Sequence, residues 1–95
     1  MTEYVLMTTM NIFDEQHMLS FIMLLGEGAH KESDFLEIVD NHYIVQKKLN
    51  VLISVGLVEQ VARRERGRWY ALTPKGTLVV SGIIRLEEEI DAFEG

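Results

Sequence analysis

The chain is predicted to be α+β and mostly helical, folded as a single domain over its 95 residues. Three observations carry that prediction. Apolar residues recur at helical spacing along most of the length. Two short strand-like runs flank a six-residue charged turn, Arg63-Arg64-Glu65-Arg66-Gly67-Arg68. A last apolar stretch, opened by Thr73-Pro74, is long enough to extend beyond a small core.

Residues 1–13 fit two descriptions. Tyr4-Val5-Leu6-Met7 suits a short strand or an extra helical turn, and Asn11 or Asp14 suits a helix cap. A first helix is expected over Asp14–Leu25, with Met18, Phe21, Ile22 and Leu25 as its stripe. Leu19, Met23 and Leu24 widen that stripe. A helix apolar on most sides needs cover on most sides, which in so short a chain points to a partner subunit. Gly26-Glu27-Gly28 ends it. A short second helix is expected over residues 31–39, with Phe35, Leu36 and Val39 inward and Glu32, Asp34 and Glu37 solvated. Asp40-Asn41 is the next turn, with Asn41 placed as N-cap.

The third helix buries Val45, Leu49, Leu52 and either Val55 or Gly56. Its opposite face carries His42, Tyr43, Gln46, Lys47 and Asn50. Gly56 closes it, where a positive φ is needed. Leu57–Ala62 is the outgoing strand and Trp69–Leu72 the returning one. Trp69 is expected on the outer face of this hairpin, with Tyr70 and Leu72 turned to the core. Thr73 is placed as N-cap and Pro74 as first residue of the last helix. In that helix Val79, Ile83, Leu86, Ile90 and Phe93 are spaced as an a/d seam. Leu78, Val80 and Ile84 form a second strip. At about 1.5 Å per residue the helix spans roughly 25 Å. Its first half suits its own core and its second half suits a second copy of the chain. Two heptads are too short alone, so the first helix or residues 1–13 would have to join them. Glu87-Glu88-Glu89 is a solvated face.

The run KKLNVLISVGLVE followed by GRWYALTPKG resembles the recognition-helix-plus-wing segment of winged-helix transcription regulators of the MarR and PadR types. The matching features are Leu49, Leu52, Gly56-Leu57-Val58 and Tyr70-x-Leu72-Thr73-x-x-Gly76. They cover about a third of the chain, and the order of elements is compatible over residues 14–93. The resemblance implies a winged helix-turn-helix with a two-stranded wing and a long C-terminal helix. Residues 14–76 would be the DNA-binding core and 77–93 the dimerisation helix. It further implies a sequence-specific double-stranded DNA-binding transcription regulator, a homodimeric repressor. Related regulators bind small-molecule effectors between dimer helices, and Met7, Met10, Met18 and Met23 could line such a pocket. Core packing is the plainer account of those methionines.

The net charge of −6 argues at first against nucleic acid. Its distribution reverses the argument. Between Asn41 and Gly76, Lys47, Lys48, Arg63, Arg64, Arg66, Arg68 and Lys75 face only Glu59 and Glu65, giving +5. The remainder is −11. In a helix-turn-helix the N-terminal residues of the recognition helix reach deepest into the major groove. His42, Tyr43 and Gln46 are then base-reading candidates, with Asn50 added if the helix lies deep. Lys47 and Lys48 suit phosphates. Arg63, Arg64, Arg66 and Arg68 suit phosphates or a narrow minor groove. The plainer alternatives are an amphipathic helix with a solvated face and a solvated turn.

No cysteine is present, which excludes disulfides and thiolate chemistry. His17, His30 and His42 lack metal-like spacing. No phosphate-cradling glycine loop or serine nucleophile motif appears. No catalytic residue, metal or cofactor is therefore expected. The N-terminus lacks a secretory pattern, and no apolar run approaches a membrane span, so a soluble cytoplasmic protein without membrane contact is expected. A second reading stands beside DNA binding. The acidic total and the apolar terminal helices suit a winged helix used as a protein-interaction module.

Overall fold

A computed structural model describes residues 17–94. Helix α1 (Met18–Leu25) leads to a two-residue strand β1 (His30–Lys31) and a 3-10 helix (Glu32–Glu37). Helix α2 (His42–Ser54), strands β2 (Val58–Val61) and β3 (Trp69–Leu72), and helix α3 (Pro74–Glu94) follow. The sheet is antiparallel in the order β1-β3-β2. This is the α+β winged-helix arrangement that the sequence leads one to expect, with one more strand than the two-stranded wing.

The core forms where the apolar faces converge. Met18, Phe21, Ile22 and Leu25 of α1 meet Val45, Leu49 and Leu52 of α2, and all are buried. Phe35, Leu57, Val58, Tyr70 and Val80 complete it. Each large aliphatic or aromatic side chain so buried contributes roughly 1.5–3 kcal/mol before ordering costs are subtracted. The Phe21 and Phe35 rings lie 4.8 Å apart, tilted by 40°, and fasten the 3-10 turn to α1.

Both ends of α2 are capped by local chemistry. Asn41 takes an extended backbone, and its Oδ1 accepts the Ile44 N–H at 3.1 Å. At the other end Gly56 adopts φ 80°. The Leu57 N–H donates to Leu52 O at 3.0 Å and the Gly56 N–H to Ile53 O at 3.0 Å. These are the paired bonds of a Schellman motif, and Leu57 and Leu52 are both fully buried.

The start of α3 is built onto that cap. The Thr73 N–H donates to Leu57 O at 3.0 Å. The Thr73 hydroxyl donates to the Gly56 carbonyl and accepts the Gly76 N–H at 3.1 Å. Lys75 Nζ donates to Val55 O at 2.9 Å. Gly76 is buried, and a Cβ there would collide with the Leu57 carbonyl oxygen and lie 3.1 Å from Leu72 Cδ2. Thr73 as N-cap, Pro74 as first helical residue and Gly76 in the motif thus share one physical cause.

Several expectations are corrected. Residues 31–39 do not form an ordinary second helix. His30-Lys31 instead pair with Tyr70 and Trp69 on the open edge of β3, and only Glu32–Glu37 coil, as a 3-10 turn. The Asp34 carboxylate accepts the Lys31 N–H at 3.3 Å, starting the turn at the strand's end. Leu57 belongs to the α2 cap rather than to a strand, and β2 ends at Val61, not Ala62. Helix α1 begins at Met18, after His17 at φ 70°. Residues 1–16, with Asn11, Asp14 and the Tyr4–Met7 run, lie outside the described residues. On α3 the buried apolar side chain is Val80, with Val79 and Ile83 half-buried.

Gly76 and Gly82 make a paired test. Gly76→Ala is expected to lower unfolding free energy by about 1–3 kcal/mol, because it overpacks backbone that cannot yield. Gly82 is helical with nothing within 4 Å of an added Cβ. Gly82→Ala is expected to raise stability by about 0.5–1 kcal/mol in the same urea titration.

Candidate nucleic-acid interface

The clasp between α2 and α3 leaves one face of α2 turned outward. Its core face holds Val45, Leu49 and Leu52, so residues about half a turn away must be exposed. Tyr43, Gln46, Lys47, Asn50, Val51 and Ser54 line one shallow hollow along that face. His42 is exposed on the first turn but does not line the hollow. Tyr43, Lys47 and Asn50 are exposed, whereas Gln46 and Lys48 are half-buried. Four of the five residues singled out on this helix therefore line one hollow, and His42 stands apart on the first turn. Ile44, which periodicity did not single out, is exposed beside them.

The wing residues Ala62–Arg68 are all exposed, with Gly67 at φ 106° turning the chain. The four arginines divide. Arg64 and Arg66 lie within the turn itself. Arg63 lines a groove shared with Gly28 and Ala29 and with Thr77 and Ser81 of α3. Arg68 sits at the wing base, where its carbonyl accepts the Glu32 N–H at 2.8 Å. Among the described residues no lysine or arginine is ion-paired; the ion pairs there involve only His30. The cations of α2 and the wing thus have no carboxylate partner among the described residues, Lys48 half-buried and the others exposed. Lys75 differs, because its ammonium is engaged with the α2 cap.

Behind the wing a polar cluster joins three elements. His30 Nδ1 lies 2.9 Å from Asp34 Oδ2, and His30 Nε2 lies 3.7 Å from Glu27 Oε2. The Tyr70 hydroxyl donates to Glu32 Oε1 at 3.4 Å. Burial pushes the Tyr70 phenol above its ordinary value of 10.0, the Glu32 carboxylate adds to the rise, and Arg68 opposes it. Trp69, on the other face of β3, is half-buried opposite Val61 and Lys31. Its Nε1 is buried with no acceptor among the described residues. The three histidines are not brought together. Among the described residues no group of three His, Asp or Glu side chains could hold a metal ion.

On α3 the apolar seam is half-covered at its start and open beyond. Val79 and Ile83 are half-buried, while Leu86, Ile90 and Phe93 are 56%, 46% and 93% exposed. Met18 is a fully buried core residue and Met23 packs half-buried against the core. Met7 and Met10 lie outside the described residues. No helix among the described residues is long and apolar enough to cross a membrane.

No protein-family profile and no curated sequence matches the chain. Solved structures do. A candidate transcriptional regulator of the MarR family from Enterococcus faecalis V583 superposes with a TM-score of 0.79 at 18% identity, over 98% of this chain and 87% of that one. A candidate HxlR-family transcriptional factor from Thermoplasma volcanium GSS1 gives 0.68 at 24% identity, over 90% and 80%. The reduced transcriptional regulator YodB from B. subtilis gives 0.73 at 19% identity, over 90% and 87%. The chain therefore has the winged-helix fold of such regulators. Identities this low establish the fold, and a fold alone does not assign a function.

The polar cluster behind the wing has a pH signature. A phenol raised in the folded state contributes stability that is complete below pH 10.0 and is lost as pH climbs through the folded value. Tyr70→Phe is expected to cost less than about 1 kcal/mol at neutral pH, since it removes only a long hydrogen bond. It should also flatten the loss of stability above pH 10.0, measured by urea unfolding of both proteins across that range.

Proposed function

We propose that this chain is a sequence-specific double-stranded DNA-binding transcription regulator, a homodimer that represses by occluding its site. One observation carries the proposal. In a chain of net charge −6, seven of nine lysines and arginines fall between Asn41 and Gly76, and those on α2 and the wing stay exposed or half-exposed and unpaired among the described residues. The likeness in fold to proteins named as transcriptional regulators supports the same reading.

In this reading residues 14–76 form the DNA-binding core. Helix α2 enters the major groove, with His42, Tyr43 and Gln46 towards base edges and Asn50 deeper along the groove. Lys47 and Lys48 meet phosphates. Arg63, Arg64, Arg66 and Arg68 meet the flanking backbone, with Arg64 and Arg66 reaching furthest. Residues 77–93 pair two copies through Val79, Ile83, Leu86, Ile90 and Phe93. Two recognition helices then meet successive major grooves about 34 Å apart on a pseudo-palindromic site. The protein would work in the cytoplasm, without catalysis, metal or cofactor.

Fluorescence anisotropy with labelled duplex at several salt concentrations tests this. Tight binding whose affinity falls with salt is expected, because bound lysines and arginines release counterions. The triple variant Arg64→Ala, Arg66→Ala, Arg68→Ala should reduce the slope of log affinity against log salt by about one per lost phosphate contact. An unchanged slope would remove the wing from the interface. Absence of binding at low salt would shift the assignment to a protein-interaction module.

Pairing has its own measurement. Ile83→Glu and Ile90→Glu place charges in the seam, and sedimentation velocity should show each variant shifted towards monomer. An unchanged mass for both would rule out this face as the interface.

A further inference from the structure

The make-up of α2 points to the kind of base pair it reads, an inference that rests on the DNA-binding function proposed above. Helix α2 contains no arginine, aspartate or glutamate. Those side chains single out G·C pairs in the major groove: arginine grips guanine O6 and N7, and carboxylates accept from cytosine N4. The outward face carries two amides instead, Gln46 and Asn50, four residues apart and lining the same hollow. An amide side chain donates to adenine N7 and accepts from adenine N6 at once.

Alongside the amides the helix exposes apolar surface. Val45, Leu49 and Leu52 are fully buried, yet Ile44 is 37% exposed and Tyr43 71% exposed. These two residues, with Lys47, Lys48 and Val51, line a second hollow next to the first. The rows are adjacent because Tyr43, Lys47 and Val51 belong to both hollows. In a major groove the apolar feature on offer is the thymine methyl group. One A·T pair presents an adenine N6/N7 edge and a thymine methyl side by side. Amide row and apolar row therefore match the two halves of the same pair.

We infer that α2 reads A·T base pairs, with Gln46 and Asn50 on adenine edges and Ile44, backed by the Tyr43 ring, on thymine methyls. The arginines of the wing fit the same target. A·T-rich tracts narrow the minor groove and deepen its negative potential, which draws guanidinium groups. The two lysines of the helix, Lys47 and Lys48, can also meet guanine O6 and N7, so a G·C-rich site would transfer the reading to them.

The test is selection of bound duplexes from a randomised pool by the full chain, followed by deoxyuridine replacement of thymine in the selected site. Deoxyuridine removes only the methyl group. Half-sites dominated by A·T pairs are expected. Replacement at contacted thymines should weaken binding about fourfold for each methyl lost. Ile44→Ala, a change at an exposed position, should bind the thymine and deoxyuridine duplexes alike. Gln46→Ala should relax the preference at one adenine. Half-sites dominated by G·C pairs would overturn the inference while leaving DNA binding in place. So would an A·T site whose affinity for the wild-type protein ignores deoxyuridine. Failure to enrich any duplex at low salt would overturn it together with the DNA-binding function.

Discussion

Everything in this molecule hangs on the close approach of Gly76 to the Leu57 carbonyl. At that point the end of α2, the start of β2, the end of β3 and the start of α3 meet within a few residues. The Leu57 carbonyl is taken by the Thr73 N–H, and no side chain fits between it and position 76. Thr73 uses one hydroxyl in both directions, towards the α2 cap and towards the first turn of α3. The contacts are almost all backbone to backbone or through one short side chain. The angle between α2 and the wing is therefore set by the chain itself and leaves the outward side chains free to vary.

That division of labour bears on the charges. The exposed cations stand on elements that are joined from beneath by those contacts. Screening over about 8 Å at physiological salt lets the patch act locally. The −11 carried by the rest of the chain opposes loose attachment to any polyanion. In the regulator proposed here, such a charge balance would put more weight on base contacts and less on bulk attraction, and α2 carries amides and apolar groups outward.

Much of this was legible in the sequence because it rested on residues with narrow physical uses. Gly56 marked a positive φ, Thr73-Pro74 marked a helix start, and Val45, Leu49 and Leu52 marked a buried face. The misses have physical reasons too. A two-residue strand such as His30-Lys31 has no periodicity to detect, and it exists only because β3 offers an open edge. The apolar spacing over residues 31–39 predicts a short helix because the 3-10 turn observed over Glu32–Glu37 uses similar spacing. Arg68 belongs to the charged run in the sequence, but the backbone bond from the Glu32 N–H holds it at the wing base. Ile44 carries no polar group to mark it in the sequence as a surface residue, and the structure shows it 37% exposed. The meeting of Gly76 with Leu57 spans nineteen residues of chain, and only the three-dimensional fold reveals why that glycine is required.

The most direct measurement is a titration of isotope-labelled protein with a short duplex, followed by amide chemical shifts. If α2 and the wing are presented to DNA as one unit, shifts should concentrate at residues 42–50 and 62–68 and saturate together. The α3 residues beyond Ile83 should stay unmoved. Shifts confined to α3, or none at low salt, would contradict a DNA-facing role for this helix and wing.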